Sequence, residues 1–454
     1  MKTRVSVAVL ASWFFAGSLG GSLGGAVIAA AEETNAVEDI VNVLQQKGLI
    51  DEATGDEILA KQERSDAKRA AATPAVGQGP SLTEGFVWSG DLRLRDEQFW
   101  YGRAFDDTTN DTNRFRYRAR LGFTKQVNPW ALVGMRLSSG TGNYRSPNVS
   151  LGESSNWAPW SIYLDRAYAQ FALPDPGDIG LTTTLTAGRI ANPFTWKNSL
   201  DKIVWDEDIN PTGFALTSTI SPAEGTKLFA TVGYFVELVQ ACCTSAKVFG
   251  FQAGGSTTLA EKLVAGARAT YYDWENVTSD PNFASGSQNA GNLPTAFDQD
   301  AHVGESTVFV NWGGIEGWPA VVWGTVAYNF SADAGIVDGV RVGPDQTAYG
   351  YGIELGDPKG FFLLGVEYSH IPANSVLGLY TDSDMFDGVT NREGFGVYLV
   401  RELAVNTEFK LSLWEGEPIK TTGTTAGSGP YSISTTADES ANRKRLQADV
   451  NFKF

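Results

Sequence analysis

The chain has 454 residues, a formal net charge of −17, two histidines and two cysteines, which leaves little material for metal centres or thiol chemistry. The acidity, with no basic run outside a few strands, excludes a nucleic-acid partner. Fifty glycines and 12% aromatics beside three methionines suit strands, turns and interfacial rings better than packed helices.

Lys2 and Arg4 precede an apolar run from Val5 to Leu19, and small residues follow through Ala29, Ala30 and Ala31. Residues 1–31 therefore read as a secretory signal peptide, cleaved after Ala31. No other stretch approaches the ~18–20 apolar residues that a spanning helix needs. Membrane residence then requires a barrel, because only helices and closed barrels satisfy the backbone in lipid. Residues 32–69 read as a periplasmic helical segment. Val37, Ile40, Val41 and Leu44 form its apolar stripe, Gly48 is its C-cap, and Asp51 can cap a second short helix carrying Ile58 and Leu59. The stripe is too short to fold alone and is a candidate for self-association. Residues 70–82 are a linker by composition.

From Phe86 the hydrophobic period becomes two, and residues 83–454 are expected to form the barrel. "GDLRLR" opens the series, and "RFRYRARLGF" follows with Phe115, Tyr117, Ala119, Leu121 and Phe123 on one face and four arginines on the other. Further runs lie at 131–138, 162–172, 181–191, 214–220, 227–237, 248–258, 263–273, 303–312, 320–330, 348–355, 361–370, 394–401 and 407–414. The last, "LQADVNFKF", ends the chain on an aromatic. These sixteen segments, most about 8–11 residues long, have the length of tilted membrane strands. Short turns alternate with long polar connections such as 97–113, 139–161, 274–300, 372–392 and 416–443. A soluble sandwich has no reason for that alternation; a barrel with short turns inside and long loops outside does. The fold class is thus all-β, a sixteen-stranded antiparallel transmembrane barrel with a short N-terminal helical segment. An even strand count puts both barrel ends on the periplasmic side, and the last strand can pair with the first.

Arg114, Arg116, Arg118 and Arg120 alternate along one strand. On the lipid face each would cost ~2–4 kcal/mol near the midplane, so that face is expected to be wet. Arg93, Arg95 and Arg136 share the same parity on the flanking strands, which makes a basic wall. Arg189 is added to this pore-lining set. Asp165 and Arg166 take opposite faces of one regular strand, and Arg166 is not included. The third long connection, residues 192–212, carries Asp201, Asp206, Glu207 and Asp208 between the apolar anchors Phe194, Trp196, Ile203 and Trp205. A wholly solvated loop needs no such anchors. The loop is expected to fold into the lumen and hold its carboxylates opposite the arginines; lying on the rim or at a subunit contact is the alternative.

The strand count, the acidic third loop and the facing arginine wall resemble the trimeric general porins of Gram-negative outer membranes. "LDRAYAQF" and "LTAGRIANPF" resemble the strand before the constriction loop and the one leading into it. The helical stub and linker are closer to the broad "putative porin" group and to phosphate-selective porins. The resemblance covers residues 83–454. It implies a homotrimer in outer-membrane lipid that passes small hydrophilic solutes by passive diffusion, without enzymatic activity, catalytic residues, metals or cofactors.

Two rival functions bear on particular residues. An anion- or phosphate-selective pore would use the arginines as a binding track, against the repulsion of the acidic loop. A barrel hydrolase would use a histidine as base, but His302 and Ser306 on one strand face lie about 13 Å apart, and His370 sits at a strand end. A plugged receptor would need a larger domain ahead of the barrel than the helical stub supplies. Adjacent Cys242 and Cys243 could form only a strained ring, and no function is assigned to them.

Overall fold

The computed structural model describes residues 85–101, 112–152, 158–195, 202–238, 245–279, 292, 300–315, 318–337, 340–420 and 442–454. The expected signal peptide, helical segment and linker lie outside them, as do Trp196, Asp201, Cys242 and Cys243. Sixteen strands form the wall: β1 (Phe86–Tyr101), β2 (Thr112–Asn128), β3 (Ala131–Ser139), β4 (Ile162–Leu173), β5 (Thr182–Arg189), β6 (Thr212–Ala223), β7 (Thr226–Leu238) and β8 (Ala246–Ala260). They continue as β9 (Leu263–Glu275), β10 (Ala301–Ile315), β11 (Trp318–Asn329), β12 (Thr347–Gly356), β13 (Leu363–Ile371), β14 (Arg392–Ala404), β15 (Thr407–Pro418) and β16 (Arg443–Lys453). Each pairs antiparallel with its sequence neighbours, and β16 returns to β1 in an unbroken register from Asp91↔Lys453 to Tyr101↔Arg443. The sheet is closed and leaves no edge. All sixteen period-two segments are strands, most of them longer than the alternation alone indicates. Val149–Ser150 adds a short rung on β2, and Gly335–Val337 pairs with Val340–Val342 in the β11–β12 connection.

Solvation is inverted relative to a soluble protein. Leu94, Phe115, Leu121, Phe251, Val308, Val322 and Phe395 are exposed, whereas Arg95, Gln252, Thr307, Thr325, Glu367 and Asp449 on the alternate parity are buried. Such inversion is stable only if the outer face meets lipid. At the short-turn end, connections such as Ala223–Thr226 and Ala404–Thr407 are tight hairpins. Gly225 (φ 71°) and Asn406 (φ 61°) supply the left-handed backbone these turns require. There Phe86, Trp88 and Phe123 cluster with centroids 5.0–6.1 Å apart. Phe454 is 67% exposed and exchanges both backbone hydrogen bonds with Gly90, at 2.7 and 3.0 Å. The terminal aromatic of "LQADVNFKF" thus sits in this belt, on the first strand.

The apolar core lies inside the barrel and is built mostly by loops. Ile190, Phe194, Ile203, Val204, Trp205 and Ile209 of the β5–β6 connection are buried with Tyr272, Trp274, Val303 and Ala348 of the far wall. The β13–β14 connection joins the same core through Val376, Leu377, Leu379, Tyr380, Met385 and Phe386. Its expected place among the external polar loops is corrected: six large apolar residues drive it into the lumen, where they leave water.

Candidate functional site

The arginine wall faces inward, but no open gap separates it from carboxylates. Arg93 stands opposite Arg118 and Arg95 opposite Arg116 across β1 and β2, a like-charge ladder that needs counter-ions. Arg118 and Arg120 each reach both Asp91 and Asp208, the latter at 3.2 Å. Arg95 forks onto Asp449 at 2.6 and 2.9 Å and reaches Asp384 at 2.9 Å. Glu97, fully buried, takes Arg114 and Arg445 at 2.5 Å each, Arg95 at 3.3 Å and Arg116 at 3.4 Å. Arg93 donates to Asn148 at 2.8 Å. The expectation of arginines looking across a channel at an acidic loop is therefore corrected in one respect: Asp208 is docked on the wall. Coulomb attraction at such distances, between side chains that are 7% and 9% exposed for Arg118 and Asp208, outweighs the hydration that would hold the two apart.

A register shift on β4 settles the question of Asp165 and Arg166. Pairing runs Arg136↔Arg166 and then Leu137↔Leu164, so Asp165 is the extra residue of a bulge. Both neighbours then join one interior network. Arg136 pairs with Asp165, Asn210 donates to Asp165 at 2.7 Å, and Arg166 donates to Asn210 at 2.7 Å. Arg189 donates to the Asp165 carbonyl at 2.9 Å. Alternation alone cannot reveal a bulge; the only local signal was the charged pair itself, out of phase with the strand.

The three described acidic residues of the β5–β6 loop have separate fates. Glu207 is exposed, Asp208 docks on β1 and β2, and Asp206 is 3% exposed at the joint with the β13–β14 loop. There the Asp206 N–H donates to the Tyr380 carbonyl (2.6 Å) and the Asp382 N–H to the Lys202 carbonyl (3.1 Å). Ser383 N–H donates to Asp206 Oδ2 at 2.7 Å, while Asp382 Oδ1 accepts from the N–H groups of Asp384 and Met385. Burial, with Asp382 and Asp208 beside it, pushes the Asp206 carboxyl well up. Burial also raises Asp382 to about 6, although Lys202 opposes it. Asp384 differs: burial would raise it, but Arg95 and Arg445 hold it well below the ordinary carboxylate range.

Each loop is seated by one phenylalanine on a strand glycine. Phe194 covers Gly250, where an added Cβ would meet its ring at 2.2 Å, and Phe386 covers Gly416, at 2.4 Å. Lys202 crosses to the far wall, bonding Glu367 at 3.0 Å with its ammonium 4.2 Å from the Trp414 ring centre. Asn292 donates to the carbonyls of Ala373 and Val376 at 2.6 and 2.7 Å. The two loops together thus cross the lumen from the arginine wall to β13–β15.

Residues 92–305, from β1 into β10, match the sequence profile of the family described as "Putative porin". Over these residues the chain is similar to that family, and its fold is a porin-type barrel. The porin's fold is similar to that of OprB from Pseudomonas putida, with a TM-score of 0.50 and 12% identity over 82% of this chain and 95% of that one. It is also similar to a triple mutant of the Rhodopseudomonas blastica porin, with a TM-score of 0.41 and 11% identity over 81% of this chain and 100% of that one. No curated protein sequence matches the chain. The family and the fold place the porin in the outer membrane. Both histidines sit on its outward parity, His302 beside Asp273 at 3.0 Å and His370 beside Glu393 at 2.7 Å. Among the described residues no cluster of His, Cys, Asp or Glu suits a metal ion.

Proposed function

We propose that the porin is a water-filled outer-membrane pore for passive diffusion of small hydrophilic solutes and ions. The supporting observation is the β5–β6 loop, which enters the lumen and touches both the arginine wall, through Asp208, and the far wall, through Lys202. Such a loop narrows a barrel without filling it with a separate domain. The wall and the loop carboxylates set a transverse field across that narrowing. A continuous anion-binding track is disfavoured, because Asp91, Asp208, Asp165 and Asp449 neutralise the deep arginines. A hydrolase is disfavoured because each histidine is paired with a carboxylate on the lipid side. Homotrimeric assembly and a periplasmic N-terminal segment belong to the same reading and rest on the resemblance to trimeric porins.

The test is reversal potential across a planar bilayer between unequal KCl solutions, with purified full-length protein. Stepwise conductance with weak ion selectivity is the expected result. Absence of conductance from a folded, heat-modifiable barrel would overturn the reading.

A further inference from the structure

We infer that the porin carries a binding site for small oxyanionic solutes, bearing phosphate or carboxylate groups, at the long-loop end of its lumen. The site lies among the outer ends of β1, β2 and β16, residues 143–146 of the β3–β4 connection and residues 383–387 of the second infolded loop. A cavity of about 330 Å³ opens there, within the ~300–1,000 Å³ range of small-molecule sites. The inference rests on the pore reading for one thing only, access of solutes from outside.

Charge singles this cavity out. Among the described residues, Arg114, Arg116, Arg145 and Arg445 line it, against one lining carboxylate, Asp387. Glu97 beneath them is shared by Arg114, Arg116 and Arg445, and Arg445 also meets Asp384 and Asp387 at 3.1 and 3.6 Å, so Arg114 and Arg116 have Glu97 as their one ion-pair partner among the described residues. Deeper in the lumen the ratio is different: Arg118 and Arg120 meet two carboxylates, and Arg136 meets its own. Arg93 and Arg166, deeper in, donate to the amide oxygens of Asn148 and Asn210, whereas the entrance arginines surround an open cavity. Among the described residues, the Nε atoms of Arg116 and Arg445 are buried without a hydrogen-bond partner, although their side chains are only 11% and 6% exposed. Buried donors of that kind are costly unless a ligand or water meets them.

The guanidiniums are also held in place before any ligand arrives. The Phe99 ring lies between those of Arg114 and Arg445, at 4.8 and 5.1 Å. Arg145 donates to the carbonyls of Gly378 and Gly388 at 2.9 and 3.1 Å. Ser146 adds a hydroxyl to the lining, and the Ser383 hydroxyl donates to the Arg145 carbonyl at 3.3 Å. Planar forks fixed around a cavity suit the several acceptor oxygens of phosphate or a carboxylate, and a neutral sugar would leave the charge uncompensated.

The test titrates inorganic phosphate, glucose 6-phosphate and glucose against channels in planar bilayers, and against detergent-folded porin by calorimetry. Phosphate and glucose 6-phosphate should reduce the current and release heat, glucose should do neither, and the double variant R114Q/R116Q should weaken both effects at least tenfold. If that variant loses heat-modifiability, Arg114→Gln replaces it, because this side chain is 42% exposed. Channels that conduct but respond to phosphate no more than to added chloride would overturn the site and leave the pore standing. A silent barrel that still binds phosphate through Arg114 and Arg116 would sink the pore and support the site. Silence without binding would remove both.

Discussion

Glu97 is 0% exposed and lies within 3.4 Å of four arginines. Converting it to glutamine keeps its shape and leaves those guanidiniums with one charge fewer. Removing one partner from a buried charged network costs about 3–5 kcal/mol, so Glu97→Gln should lower the temperature of the heat-modifiable gel shift and move the reversal potential towards chloride. The glycine seats give a second prediction at this scale. Gly416→Val puts a side chain where Phe386 rests, and it should release the second loop and raise unitary conductance in bilayers while the barrel stays folded. Residues were unevenly legible in sequence. The parity of Arg93, Arg95 and Arg114–Arg120 follows from alternation and the cost of charge in lipid. The joint participation of Asp165 and Arg166 does not, because a bulge is set by the register of two strands together.

Among the elements, all sixteen strands are readable from period-two runs, since lipid on one side and a polar lumen on the other enforce the pattern at every residue. Loops obey no period, yet the apolar content that marked 192–212 as infolded is equally present in Val376, Leu377, Leu379, Tyr380, Met385 and Phe386. The same argument applied there reaches the second loop as well. The joint between the loops makes docking depend on pH. Asp206 and Asp382 are raised by burial, and Lys202, Glu207, Asp208 and Asp384 act on them from the two loops. A carboxyl raised in the docked state favours docking while protonated. That contribution is complete below the free value of about 4 and is lost as pH rises through about 6. Conductance should therefore be larger, or noisier, at pH 8 than at pH 5, and Asp382→Asn should flatten the profile. An unchanged profile in the wild type would show that the loops do not move over this range.

For the whole molecule, lipid is the solvent that decides what can change. Val308 lies mid-strand on the outer face and is 59% exposed, whereas the neighbouring Thr307 is fully buried towards the lumen. Val308→Arg should cost ~2–4 kcal/mol of folding free energy in vesicles, read by urea titration, if this position lies near the bilayer midplane. A negligible cost would place it near the interface.

The seam between β1 and β16 has a consequence for how the chain is made. Arg95 finds Asp449, 354 positions further on, and Glu97 finds Arg445, 348 further on. A nascent barrel lacking its last strand has no Asp449 or Arg445 to meet the charges of the first, and every truncated product shares that defect. Arrival of β16 is thereby written into the electrostatics of the closing pairing. The closed wall becomes a receipt that β16 has arrived.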